Sequence, residues 1–266
     1  MSAEPSSTFQ AWADDYDRYR PGYPAELFDE IATRLGVGDR ARVADLGAGT
    51  GLATFEMARR GWQMTAVEPG TGMLDQLRER AEASGIAVVA VEANAEDTGL
   101  PDASFDLATA AQAFHWFDRP RAVEEMARIV RPGGGVALFW NVRRTEASSI
   151  VADYEALMSQ YFGSAGIGQY LQHVRAAEAD ATRAAFAESP HFERLTYSEP
   201  LHQTTMDAGG LIGMALTASY VRRLDPPEQE RLRGELHSLL NRHGVANQPF
   251  TIPYRIDLWI ARRSDR

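Results

Sequence analysis

Three glycines at alternate positions, Gly47, Gly49 and Gly51, follow the apolar run Val43-Ala44-Asp45-Leu46. They precede the helical pattern Leu52-Ala53-Thr54-Phe55-Glu56-Met57-Ala58. Glycines lack a Cβ, so a ligand can lie against the backbone there. Strand, glycine turn and helix form the nucleotide-binding element of doubly wound α/β domains, where ligands sit at the carboxyl ends of the strands. The spacing is G-x-G-x-G, whereas a dinucleotide site needs G-x-G-x-x-G. Leu52 stands where the third glycine would allow close helix–strand packing, and Asp45 is a poor neighbour for a pyrophosphate. Both disfavour a nicotinamide oxidoreductase. A carboxylate suits a ligand with cationic groups, and S-adenosylmethionine carries two, an ammonium and a sulfonium. The competing reading is a tight turn that binds nothing.

Further along, Glu68 closes a second strand pattern about 20 residues past the glycines, where an acid can accept both ribose hydroxyls of a nucleoside. A solvated strand-end charge is the alternative. Met73 opens the next helix and fits either an adenine face or the core. Asn94-Ala95-Glu96 follows a third strand and reads as loop composition that can also meet a base edge. Ala111-Gln112-Ala113-Phe114-His115-Trp116-Phe117-Asp118 follows a fourth strand. Aromatics and a histidine at a strand end fit a pocket wall, or a core-packed structural histidine. His115 is the one candidate general base, because an unperturbed histidine pKa near 6.5 suits proton transfer at neutral pH. Arg143 and Arg144 end a fifth strand and fit either an acidic substrate or surface charge at a helix start.

The elements that must hold these groups are legible in order. Phe9, Trp12, Tyr16 and Tyr19 have helical spacing, broken by Pro21-Gly22-Tyr23-Pro24. We expect this segment, with Tyr16, Tyr19 and Arg20 nearest the site, to act as a lid. A helix over 25–35 stops at Gly36, and strands are expected at 41–46, 63–68, 86–92, 105–110 and 136–142. Helices from Leu52 to Arg60, 71–84 and 120–130 separate the strands, and this alternation implies a parallel sheet with right-handed crossovers. Residues 145–190 read as helices, 192–205 as a strand, 208–223 and 226–240 as helices, and 248–262 as a final strand. That last strand puts Ile252, Tyr254, Ile256, Leu258 and Ile260 on one face.

With 266 residues, 44% of them hydrophobic, the chain can bury a sizeable core. It has 0 Cys, which excludes disulfides, thiolate zinc sites and a cysteine nucleophile. Its histidines show no metal-ligand spacing, so no metal is expected; His237 and His243 read as solvated residues at a polar helix end. A formal net charge of −10 argues against nucleic acid. No stretch is long and apolar enough to span a membrane and no secretory start is seen, so a cytoplasmic monomer or homodimer is expected.

Taken together, Val43-Ala44-Asp45-Leu46-Gly47-Ala48-Gly49-Thr50-Gly51, Val67-Glu68-Pro69, Phe105-Asp106-Leu107, Phe114-His115-Trp116-Phe117 and Arg131-Pro132-Gly133-Gly134 resemble the class I S-adenosylmethionine-dependent methyltransferases. Tyr19-Arg20-Pro21-Gly22-Tyr23-Pro24, Trp140-Asn141 and Ser219-Tyr220 are similar to the type 11 group that includes trans-aconitate-methyltransferase-like proteins. The resemblance covers 12–143 well and is patchy beyond. It implies a Rossmann-like, doubly wound, mostly parallel seven-stranded α/β sheet with a helical substrate cap. The expected organisation is a lid and S-adenosylmethionine-binding core over 1–143, a helical cap insertion over 144–191, and the rest of the sheet with inserted helices over 192–266. By the resemblance, Asp45, Gly47, Ala48, Gly49 and Gly51 face the methionine part and Glu68 holds the ribose, with Pro69 and Met73 beside it. Asn94, Ala95 and Glu96 meet the adenine, and Ala111, Gln112 and His115 close the site. Ala93-Asn94-Ala95 departs from the family's usual Gly-Asp or Gly-Thr-Ala, which leaves the adenine contact to Asn94 or the backbone. Trp116, Trp140, Asn141, Arg143 and Tyr220 join Tyr16, Tyr19 and Arg20 on the substrate side. The implied activity is methyl transfer to a small molecule, at an O, C or N atom. A cyclase or decarboxylase using the same cofactor, and a non-catalytic regulatory module, are the rivals.

Overall fold

A computed structural model describes residues 20–161, 167–218 and 220–264, with side chains of 167–176 excepted. The chain forms two compact units. The sheet unit holds 22–141, 178–200 and the residues from 256 onward. The helical unit holds 142–177 and 201–255, with the described residues before 22.

The sheet unit opens with helix α1 (Ala25–Leu35), which buries Leu27, Phe28, Ile31, Ala32 and Leu35 on one face. Each large apolar side chain so buried contributes roughly 1.5–3 kcal/mol. The helix ends where Gly36 turns left-handed, at φ 68°, and returns its N–H to Ala32. Strand β1 (Arg42–Leu46), helix α2 (Leu52–Arg59), strand β2 (Gln63–Val67), helix α3 (Thr71–Ser84) and strand β3 (Val88–Val91) follow. Next come β4 (Phe105–Ala111), a 3₁₀ turn (Phe114–Trp116), α4 (Arg119–Ile129) and β5 (Val130–Arg143). Asp118 caps α4, accepting from the Arg121 N–H, with Pro120 in the first turn.

Among the described residues the sheet has eight strands, seven of which take the order β3-β2-β1-β4-β5-β8-β6, where β6 is Thr196–Ser198 and β8 is Phe250–Arg262. The pairs β3–β2, β2–β1, β1–β4 and β4–β5 are parallel, and β6 runs antiparallel to Leu258–Ile260. The order reverses between β1 and β4. That is the switch point at which doubly wound sheets open a crevice beyond the strand ends, and both the glycine turn and the Phe114–Trp116 turn leave the sheet there.

The strand expected over 192–205 is instead two strands, β6 and β7 (Leu201–Met206). Pro200 lies between them; it has no N–H to give, and its carbonyl accepts from the Ile256 N–H at 2.8 Å. The helix expected over 208–223 stops at Leu216, and Val221–Arg223 is a separate 3₁₀ turn.

In the helical unit, α5 (Ser149–Tyr161), the first part of α6 (Ile167–Glu188), α7 (Ala208–Leu216) and α8 (Pro226–Arg242) accompany β7, which pairs antiparallel with Phe250–Arg255. Its core includes Tyr154, Met158, Leu211, Met214, Leu236 and Tyr254. No helix among the described residues is long and apolar enough to cross a membrane.

Candidate active site

The glycine turn is pinned to β2. The N–H groups of Gly47 and Ala48 both donate to the Val67 carbonyl, at 2.8 and 3.1 Å. Asp45, read as a ligand-facing acid, points inward: it is 1% exposed, Oδ1 accepts from the Thr109 hydroxyl at 2.8 Å, and Oδ2 accepts from the Thr54 hydroxyl at 2.5 Å. It thereby ties β1 to β4 and α2. The reason is register: Asp45 pairs with Thr109, so both side chains fall on the same face.

Burial pushes the Asp45 carboxyl up to about 6, against the opposing pull of the Thr54 and Thr109 hydrogen bonds. A raised folded pKa means that folding favours the protonated acid. This contribution is fully present below the ordinary value of 3.8 and is lost as pH rises through about 6. Asp45→Asn removes the titration and keeps both hydroxyl partners. Urea unfolding across that window should show wild type losing up to about 3 kcal/mol relative to the variant. Parallel pH profiles would refute the buried-acid account.

The three glycines differ in what surrounds them. A Cβ on Gly47 would sit 2.7 Å from the Ala113 Cβ, and one on Gly51 would sit 2.7 Å from Phe55, so both are small for packing. A Cβ on Gly49 would meet only the Met73 sulfur at 3.9 Å, so this glycine faces open space. Around it converge Met73, which is half-buried, and Glu68, which is 8% exposed. The Glu68 carboxylate accepts from the Gly49 N–H through Oε2 and from the Gly70 N–H through Oε1, each at 2.9 Å. A carboxylate has about four acceptor positions, so two remain for a ligand. Ala48 is half-buried and Pro69 is exposed beside them.

After β3, Asn94 is exposed, Ala95 is buried, and Glu96 is half-buried with Oε1 accepting from the Asp118 N–H at 2.7 Å. Glu96 therefore fastens this loop to the start of α4, and Asn94 is the more available side chain.

Beyond β4, Ala111 is half-buried and Gln112 adopts φ 56°, a left-handed conformation uncommon for a residue with a side chain. Such strain clusters at functional sites. The Gln112 amide donates to the Asn141 carbonyl at 3.4 Å, and the Asn141 amide donates to the Gly22 carbonyl at 3.1 Å. The Trp140 indole N–H donates to Nδ1 of His115 at 3.2 Å. Burial draws the His115 pKa below its ordinary value, with Arg119 adding to the effect and Glu178 opposing it. Trp116 is 81% exposed and stacks at a tilt on His115, 4.8 Å between ring centres.

With this geometry in view, residues 44–138 match the family described as a methyltransferase domain, on a sheet with the class I methyltransferase fold. An uncharacterized methyltransferase of Mycobacterium tuberculosis is 42% identical over 138 residues, 52% of this chain and 54% of the relative. The chain thus spans about half the length of the curated relatives it matches. A structure from Anaeromyxobacter dehalogenans, assigned as a type II methyltransferase, shares 25% identity with a TM-score of 0.63, covering 92% of this chain and 98% of that one. The fold of phosphoethanolamine N-methyltransferase 2 from Haemonchus contortus, solved with phosphomonomethylethanolamine and S-adenosylhomocysteine, also matches. There the identity is 15% and the TM-score 0.52, over 95% of this chain and 57% of that one.

Thr54 and Thr109 under Asp45 escaped sequence reading; Ala113, Phe117 and Asp118 lie in the stretch read as a pocket wall, but their contacts with Gly47 and Glu96, and that of the Gly70 N–H with Glu68, were not read. Threonines interrupting apolar runs were the available signal, but their partner depends on strand register. Among the described residues no group of three acidic or histidine side chains could hold a metal.

Of the other expected residues, Tyr16 and Tyr19 lie outside the described residues, as does Ser219. Arg143 and Tyr220 fall in the helical unit. Arg143 pairs with Glu155, Nε to Oε1 at 2.5 Å, and its guanidinium lies over the Tyr154 ring at 5.2 Å. Burial works against its charge, but Glu155 more than compensates and holds its pKa above the ordinary value. Arg143 is thus neither a simple surface charge nor an uncompensated one. Burial raises the Tyr220 phenol to about 12, opposed by the charges of Arg143 and, further down, Arg20. His243 is not a merely solvated helix-end residue: its Nε2 lies 2.8 Å from Asp153 Oδ2. His237 is exposed as expected.

Proposed function

We propose that the protein transfers a methyl group from S-adenosylmethionine to a small-molecule acceptor, a carboxylate or a biosynthetic intermediate being the leading class, in the cytoplasm. One observation supports this most: Gly49 offers bare backbone beside a nearly buried Glu68 carboxylate with acceptor positions left over, and the half-buried Met73 adjoins both.

These residues fit the cofactor's parts. Glu68 suits a ribose diol, Met73 suits an adenine face, Asn94 suits the base edge, and the open backbone at Gly49 suits the amino-acid portion. Asp45 acts through β4 and α2, which it ties to β1 beside the turn. Bound S-adenosylmethionine supplies an electrophilic methyl on a sulfonium. The chain's own contribution is alignment and dryness: Gln112, His115 and Trp140 line the end of β4 and β5, and holding acceptor and donor in line supplies roughly 7–11 kcal/mol without an acid–base pair.

The test combines binding and turnover. Wild-type protein is titrated with S-adenosylmethionine and with NADH by calorimetry, then incubated with methyl-labelled S-adenosylmethionine and a panel of carboxylic acids and metabolites. Binding of the first alone, with label appearing in an acceptor, is expected. Gly49→Ala adds no clash and costs about 1–2 kcal/mol for its left-handed backbone, so it should remain folded yet bind at least tenfold more weakly. Binding without any transferred label would favour the regulatory reading; a rearranged product without added methyl would favour the cyclase reading.

A further inference from the structure

We propose that His115 serves as a hydrogen-bond donor that grips an oxygen of the acceptor molecule through its Nε2–H, and that Trp140 sets it in that form. The inference rests on the methyl-transfer reading above and specifies how the site holds its acceptor.

An indole N–H can only donate, and that of Trp140 lies 3.2 Å from His115 Nδ1. Nδ1 therefore carries the lone pair, and in a neutral imidazole the proton resides on Nε2. Nε2 makes no hydrogen bond among the described residues, and the side chain is half-buried. The charged groups acting on the ring are Glu178 and Arg119, which pair with each other; burial, the strongest influence, favours the neutral ring.

A neutral ring held this way offers a proton outward and keeps its lone pair occupied. A general base needs the reverse. His115 could take a proton from a substrate only by giving up the Trp140 bond or by presenting the other face of the ring. What it selects is a hydrogen-bond acceptor, a carboxylate, carbonyl or phosphate oxygen, on the molecule to be methylated. The methyl-accepting atom must then arrive with its lone pair already available.

Two side chains separate the readings. Glutamine places an amide nitrogen near the Nε2 position, whereas asparagine reaches only as far as Nδ1. Neither is a base. His115→Gln should retain turnover within a few-fold, while His115→Asn loses roughly 10–100-fold, mostly as a higher KM for the acceptor labelled in the screen above, with S-adenosylmethionine affinity unchanged in both. Independently of any acceptor, two-bond proton–nitrogen correlations on ¹⁵N-labelled wild type at neutral pH should show His115 with Nε2 protonated and Nδ1 bare. Trp140→Phe should convert that pattern into a mixture. A ring protonated at Nδ1, or charged, would overturn the proposal. So would equal losses of 10²–10⁴-fold in both variants, the size expected for a lost base. Failure of the screen to label any acceptor would count against methyl transfer itself and leave the spectroscopic result standing.

Discussion

Glu68→Ala is expected to lower S-adenosylmethionine affinity by roughly 100-fold. A hydrogen bond to a charged group contributes about 1.5–3 kcal/mol, and a ribose diol presents two hydroxyls to this carboxylate. The substitution also releases two backbone groups, since Glu68 accepts from the Gly49 and Gly70 N–H at 2.9 Å each. Those N–H groups border the open space at Gly49, so the turn loosens where the cofactor's amino-acid portion would lie. Glu68→Gln distinguishes the two contributions. It preserves length and one acceptor, but its amide nitrogen cannot accept from the second backbone N–H, and it lacks the charge that favours the diol. An intermediate loss is expected. Calorimetry and thermal unfolding on both variants check the ordering. A folded Glu68→Ala protein with wild-type affinity would remove Glu68 from the cofactor site.

Arg143→Met is expected to destabilise the protein by about 3–5 kcal/mol, the cost of leaving one member of a buried ion pair alone. Glu155 is 8% exposed, and Arg143 is its partner at 2.5 Å. The guanidinium also covers the Tyr154 ring and donates weakly through Nη1 to the Met214 sulfur at 3.8 Å. Methionine fills much of the arginine stem's volume, so the loss is chiefly electrostatic and packing remains. The double variant Arg143→Met/Glu155→Leu should recover most of the stability, because a buried pair replaced by apolar groups of similar size is often neutral. Urea unfolding of the two variants and wild type gives the comparison. Equal midpoints for the single variant and wild type would show that the pair is solvated in solution.

Local pattern determined much of this protein. The 3.6-residue spacing of apolar side chains and the left-handed glycines Gly36 and Gly85 delimit the helices Ala25–Leu35 and Thr71–Ser84 at the expected residues. Alternation in Ile252, Tyr254, Ile256, Leu258 and Ile260 marks a strand in which these five side chains are all buried. The glycine turn between a buried strand and a helix, Glu68 and the aromatic stretch after β4 are each legible locally, and together they carry the resemblance to the class I methyltransferases.

Tertiary structure decided what contiguous chain does not encode, the partner of each polar side chain. Asp45 has the residue type of a ligand-facing acid, yet its register opposite Thr109 turns it into the interior. Gly47, Gly49 and Gly51 are alike in sequence, and only the packing of Ala113 and Phe55 against two of them leaves the third open. His115 and Trp140 meet because β4 and β5 pair Ala111 with Phe139, which brings the residues beyond those strand ends together. A histidine's type allows either a base or a donor. Which one it is depends on the atom that approaches Nδ1, and that atom belongs to a different strand.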